Sequence, residues 1–157
     1  MTRAPIAGSA LAVAFVLGLA GCATDRGSTE GISGGSTSPA QSATLGAQMT
    51  SPQNPSARGD ATVTVDRGTK VAKWKVNYSG LSGPATMAHF HGPAEPGQNA
   101  PPVVWLSPKG QPVPNPIEGQ EQLTDQQMAD LLAGRYYVYV HTQANPGGEI
   151  RGQVMPR

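Results

Sequence analysis

The chain has 157 residues, and once an export segment and a linker are set aside about 100 remain to fold, enough for one modest core. Eleven Lys plus Arg stand against ten Asp plus Glu, so no charge footprint points to nucleic acid or to an anionic membrane surface as a partner. Aromatic residues are scarce while Gly (20) and Pro (15) are plentiful, a punctuation that suits short strands and turns better than a helical bundle.

The first element in chain order is a targeting segment. Arg3 supplies a positive start, and the apolar, small-residue run from Ala4 to Ala20 is too short for a comfortable membrane span. Residues 1–21 therefore read as a signal peptide. The run ends in Leu19-Ala20-Gly21-Cys22, which resembles the bacterial lipobox. That resemblance implies that the Cys22 thiol is diacylated and that Cys22 becomes the first residue of the mature chain. Cys22 is the only cysteine, so the exported domain has to fold without a disulfide. Ala23 follows it, and by resemblance to envelope sorting rules this implies a lipid anchor in the outer membrane, with the protein facing the periplasm.

Residues 22–57 then read as a disordered tether. Ser, Thr, Gly, Pro and Gln dominate, and isolated Ile32 and Leu45 offer no period, so too little apolar surface is available to offset chain entropy. A flexible coil of about 34 residues would hold the domain on the order of 30 Å from the lipid.

Alternation begins after it. Ala61, Val63 and Val65 fall on one face of a strand and Thr62, Thr64 and Asp66 on the other. In the next segment Ala72, Trp74, Val76 and Tyr78 point one way while Lys73, Lys75 and Asn77 point the other, as in a half-buried antiparallel strand. Further strands are expected over Ala85 to His91, Pro102 to Leu106 and, more weakly, Ile117 to Leu123. A helix follows at "LTDQQMADLLAG": Thr124 and Gln127 can form a capping box, Met128, Leu131 and Leu132 make the apolar stripe, and Gly134 stops it. The strands "YYVYVHT" and "EIRGQVM" close the chain, joined across Asn145-Pro146-Gly147-Gly148. The pattern is all-β, a sandwich or small barrel of about seven strands with one short helix.

Period two also decides where the three histidines point. Phe90 is the best core candidate of its strand, so Met87, His89 and His91 leave the core together. In "YYVYVHT" the same logic buries Tyr136, Val138 and Val140 and turns Tyr137, Tyr139 and His141 outward. If the two strands are neighbours, three imidazoles can converge on one ion, a donor set that suits copper or, less well, zinc. Met87 and Glu149 are the auxiliary ligands within reach, one soft and one hard. The plainer alternative is solvated outward histidines, with Tyr137 and Tyr139 forming a recognition surface for a protein or glycan. Trp74 is expected in the core and Trp105 over an edge of it. Lys73 and Lys75 read as a solvated face, and Glu149 and Arg151 as an ion pair or as hydrogen-bond partners of His141.

The stretches "HFHGPAEPGQNAPPVVWL" and "LTDQQMADLLAGRYYVYVHTQANPGGEIRGQV" resemble the CHRD domain, named for chordin and widespread in bacterial exported proteins. The likeness covers roughly Arg58 to Arg157 and is densest at His89 to Pro93 and at Val140 to Gln153. It implies an immunoglobulin-like Greek-key β-sandwich over residues 58–157, and no particular activity. A fainter likeness to copper/zinc superoxide dismutase lies in the order "HFH", "VH" and "GGEIRGQV", which would put His89, His91 and His141 in the places of copper-binding histidines. The bridging histidine, the further zinc ligands and the cysteines of that family have no counterpart here. The expectation is therefore a non-catalytic, copper-type binding module, with a metal-free interaction module and a dismutase-like enzyme as the alternatives.

Overall fold

A computed structural model describes residues 41–157. The expected signal peptide, Cys22 and the expected tether as far as residue 40 lie outside the described residues. Eight strands and one helix follow in the order β1 (Ser42–Thr50), β2 (Arg58–Asp66), β3 (Val71–Ser79), β4 (Ala85–His91), β5 (Pro102–Trp105), β6 (Ile117–Gln122), α1 (Asp125–Leu132), β7 (Tyr136–Thr142) and β8 (Ile150–Pro156). The fold is all-β with one short helix, as the sequence implies.

The first strand corrects the tether. Residues 42–57 are not disordered linker: β1 pairs with β2 from Ser42↔Asp66 to Thr50↔Arg58 and with β8 on its other side. Leu45, Ala47 and Met49 alternate into the core, a period of two that two small or flexible side chains made faint. The strand lies mid-sheet, so its backbone groups are satisfied on both edges.

All pairs are antiparallel, in the order β5-β4-β7-β8-β1-β2-β3-β6. The sheet curls until its ends nearly meet, as shown by Trp74. From β3 its indole Nε1 donates to the carbonyl of Leu106, just past β5, at 3.3 Å, and its ring meets Phe90 of β4 edge-on at 5.8 Å. Gly119, opposite Trp74 on β6, makes room for that indole, since a Cβ there would stand 2.6 Å from it. Near closure leaves little free edge for intermolecular pairing.

The interior is apolar, with Leu45, Val63, Val76, Phe90, Val138 and Ile150 all within 2% of complete burial. Helix α1 closes one end. The Thr124 hydroxyl accepts from the Gln127 amide, and the Gln127 side chain accepts in return from the Thr124 amide, the capping box legible in the sequence. Gly134 takes the left-handed conformation (φ 74°) that ends the helix. Among the described residues no helix is long and apolar enough to cross a membrane.

Candidate metal centre

The outer face of β4, β7 and β8 carries a second packed layer, built by register. Trp105, His89, Tyr139 and Arg151 form one row across β5, β4, β7 and β8; His91, Tyr137 and Gln153 form the next; Met87 faces His141 in a third. These are the residues whose parity turns them away from Phe90 and Val138. The parity expected from sequence therefore holds, and β4 and β7 are neighbours as the convergence requires.

The plainer alternative of solvated histidines does not hold. His89, His91 and His141 are 4%, 9% and 6% exposed, and Tyr137 is fully buried. Two loops fold back over this face. From the first, the Ala100 carbonyl accepts from Tyr137 Oη and the Ala100 amide donates to it, Gln98 offers its carbonyl to Arg151, and Ala94 offers its own to Gln153. From the second, at residues 143–149, the Pro146 carbonyl reaches His141. Gly- and Pro-rich segments that resemble mere punctuation in the sequence are the roof of the site. The three histidines and Tyr137 are therefore covered, while Tyr139 is half-buried.

Under that roof the imidazoles converge. Ring centroids of His89 lie 5.6 Å from His91 and 5.1 Å from His141, and those of His91 and His141 lie 6.0 Å apart. One nitrogen of each ring falls within 4.8 Å of the others. Two of the rings have a fixed proton position. His91 Nδ1 faces the Ala100 carbonyl at 2.9 Å and His141 Nδ1 faces the Pro146 carbonyl at 2.9 Å. A carbonyl only accepts, so both Nδ1 atoms carry the proton and both Nε2 atoms keep their lone pairs. A bond from the second ring nitrogen to a carbonyl is also what orients histidines in metal sites generally.

His89 completes the set. Its Nδ1 lies 3.3 Å from His141 Nε2, while its Nε2, like that of His91, is buried with no hydrogen-bond partner in the structure. A buried unpaired nitrogen costs about 1–3 kcal/mol, a penalty that a bound cation would remove. Burial lowers the basicity of all three rings. For His89, burial first and then the neighbouring His141 and His91 hold the pKa down to about 4. Burial outweighs the raising effect of Ala100 on His91 and of Pro146 on His141. The rings are neutral at neutral pH, the form that binds a metal. Three such nitrogens are a donor set that could hold a metal ion.

The remaining candidates are dispersed. Met87 is directly across from His141 in register. Glu149 lies outside the cluster, its carboxylate saturated by the Ser82 amide and hydroxyl, the Thr142 hydroxyl and Asn54. Burial pushes that carboxyl up, but these bonds outweigh it and hold it at about 2. Glu149 and Arg151 form no ion pair, and neither bonds His141: Arg151 donates to Gln98 O at 2.7 Å and lies 3.8 Å over the Tyr137 ring. Trp74 is a core residue, as expected. Trp105, 40% exposed, covers the site itself, its ring edge-to-face with His89 at 4.1 Å. The carbonyls of Ala100 and Pro146 left no mark in the sequence, because any residue type supplies one.

The CHRD domain family model matches residues 40–154, more than two-thirds of the chain, and the chain belongs to the CHRD family. The match begins well ahead of Arg58 and takes in β1, in agreement with its place mid-sheet. No curated protein and no solved structure matches the chain.

Proposed function

We propose that the chain is an envelope protein, held to a membrane by lipid on Cys22, whose CHRD domain binds one copper-type ion through His89, His91 and His141 without catalysing a reaction. The observation that carries the metal reading is the convergence of three buried imidazoles whose ligand nitrogens lie within 4.8 Å of one another. The unpartnered nitrogens of His89 and His91 and the two carbonyl-fixed tautomers support it. The anchor, the outer membrane and the periplasmic face rest on the lipobox-like Leu19 to Cys22 and on Ala23.

Equilibrium dialysis of the full-length chain in detergent against copper and zinc tests the binding. One ion per chain is expected, lost when all three histidines are replaced by Gln; equal retention by that variant would refute the site. A dismutation assay on the loaded protein is expected to give no more turnover than the released ion alone. Labelling with a radioactive fatty acid tests the anchor, and the label should vanish in Cys22→Ser.

A further inference from the structure

The charge balance around the histidines is one-sided. Among the described residues no Asp, Glu or Cys joins the cluster, and the Glu149 carboxylate is saturated elsewhere. The charge beside the site is positive. Arg151 lies 3.8 Å over the Tyr137 ring, and that ring stacks on His91 at 5.0 Å with 12° between planes. Strand order places β7 and its Tyr137 between β8 and β4, so guanidinium, phenol and imidazole follow one another toward the site. Arg151 makes no salt bridge among the described residues, and its Nε is buried without a hydrogen-bond partner.

We infer that Arg151 sets a charge filter on the three-histidine site, so that its ligand is a monovalent soft cation, Cu(I), in preference to Zn(II) or Cu(II). The inference rests on the metal reading above and deepens it. Imidazole suits copper and zinc alike, so donor type does not separate them; charge does. The cost of moving an ion out of water rises steeply with its charge, and three neutral imidazoles supply no compensating anion. Arg151 adds repulsion in proportion to the charge of the ion. At an effective dielectric of about 20 and one aromatic ring's remove, each further unit of positive charge lowers affinity by roughly ten- to thirtyfold. Zn(II) also takes a fourth ligand in its tetrahedral sites, whereas Cu(I) is satisfied by three nitrogens.

The test titrates the full-length chain in detergent, anaerobically, with Cu(I) against bicinchoninate and separately with Zn(II) against a zinc-binding dye. The wild type is expected to bind one Cu(I) at least 100-fold more tightly than Zn(II). Arg151→Gln should narrow that gap by roughly ten- to thirtyfold and Arg151→Lys should keep it, with near-ultraviolet circular dichroism reporting that each variant is folded. Zn(II) bound by the wild type as tightly as Cu(I), or an unchanged gap in folded Arg151→Gln, overturns the inference while leaving a metal site. A chain that binds neither ion overturns the metal reading and the inference together. Should Arg151→Gln fail to fold, the wild-type comparison alone decides.

Discussion

His89 and His141 stand on neighbouring strands and bring Nδ1 and Nε2 to 3.3 Å of each other. The Pro146 carbonyl holds the His141 proton on Nδ1, so His141 Nε2 accepts across this gap, His89 carries its proton on Nδ1, and His89 Nε2 keeps the lone pair that has no partner. Replacing either residue by Gln should weaken copper binding by more than the roughly 10–100-fold that outer-shell changes cost, as read by competition with a chromophoric chelator.

Trp105 offers an optical readout of the same site. Its ring lies 4.1 Å from that of His89, whereas Trp74 packs into the interior against Phe90. Copper should quench a large part of the tryptophan emission, and Trp105→Phe should abolish most of the quenching without abolishing binding. Equal quenching in the variant would place the ion elsewhere.

The metal-free protein should be acid-sensitive in a definite window. A histidine titrates near 6.5 when unfolded, and His89 is held down to about 4 in the fold by burial and then by its two histidine neighbours. Between those values the unfolded state binds more protons, so stability rises with pH there. It is fully present above about pH 6.5 and is lost progressively as pH falls toward 4. Glu149 acts lower, its contribution intact above about 4.5 and lost as pH falls through about 2. Melting temperatures should therefore be lower at pH 4.5 than at pH 7.5, and His89→Gln should shrink the difference; a difference unchanged by that substitution would contradict the assignment.

Glu149 is a structural knot that joins three segments. Its oxygens accept from Asn54 in the β1–β2 connection, from Ser82 before β4 and from Thr142 at the end of β7. Glu149→Gln removes the charge from four charge-assisted bonds and forces the Ser82 and Thr142 hydroxyls to turn and accept, and should cost about 1–3 kcal/mol in urea unfolding. A loss below about 0.5 kcal/mol would show that the carboxylate is replaceable.

The strand nearest the N-terminus of the described chain gives a different kind of test. Leu45 on β1 is completely buried, and Leu45→Ala should destabilise by about 3–5 kcal/mol. A fragment starting at Arg58 should be insoluble, because removing β1 bares the edges of β8 and β2. A soluble, cooperatively melting fragment from Arg58 would refute the central role of β1.

What could be read in advance followed side-chain parity. Val63, Trp74 and Phe90 are large and apolar and alternate with polar neighbours, so their strands and the outward turn of His89, His91 and His141 were legible. β1 was not, because Ala47 beside Gly46 and Gln48 gives almost no contrast. The burial of the histidines was equally hidden. Parity names the face on which a side chain lies, but only three-dimensional placement shows that Ala100 and Pro146 are carried across that face to cover it.

X-ray absorption at the copper edge of the loaded, full-length chain tests the shared coordination directly. The account predicts three nitrogen scatterers at about 2.0 Å with the outer-shell pattern of imidazole rings. A first shell of water oxygens with fewer than two imidazoles, or one in which Gln at position 89, 91 and 141 changes nothing, would contradict it.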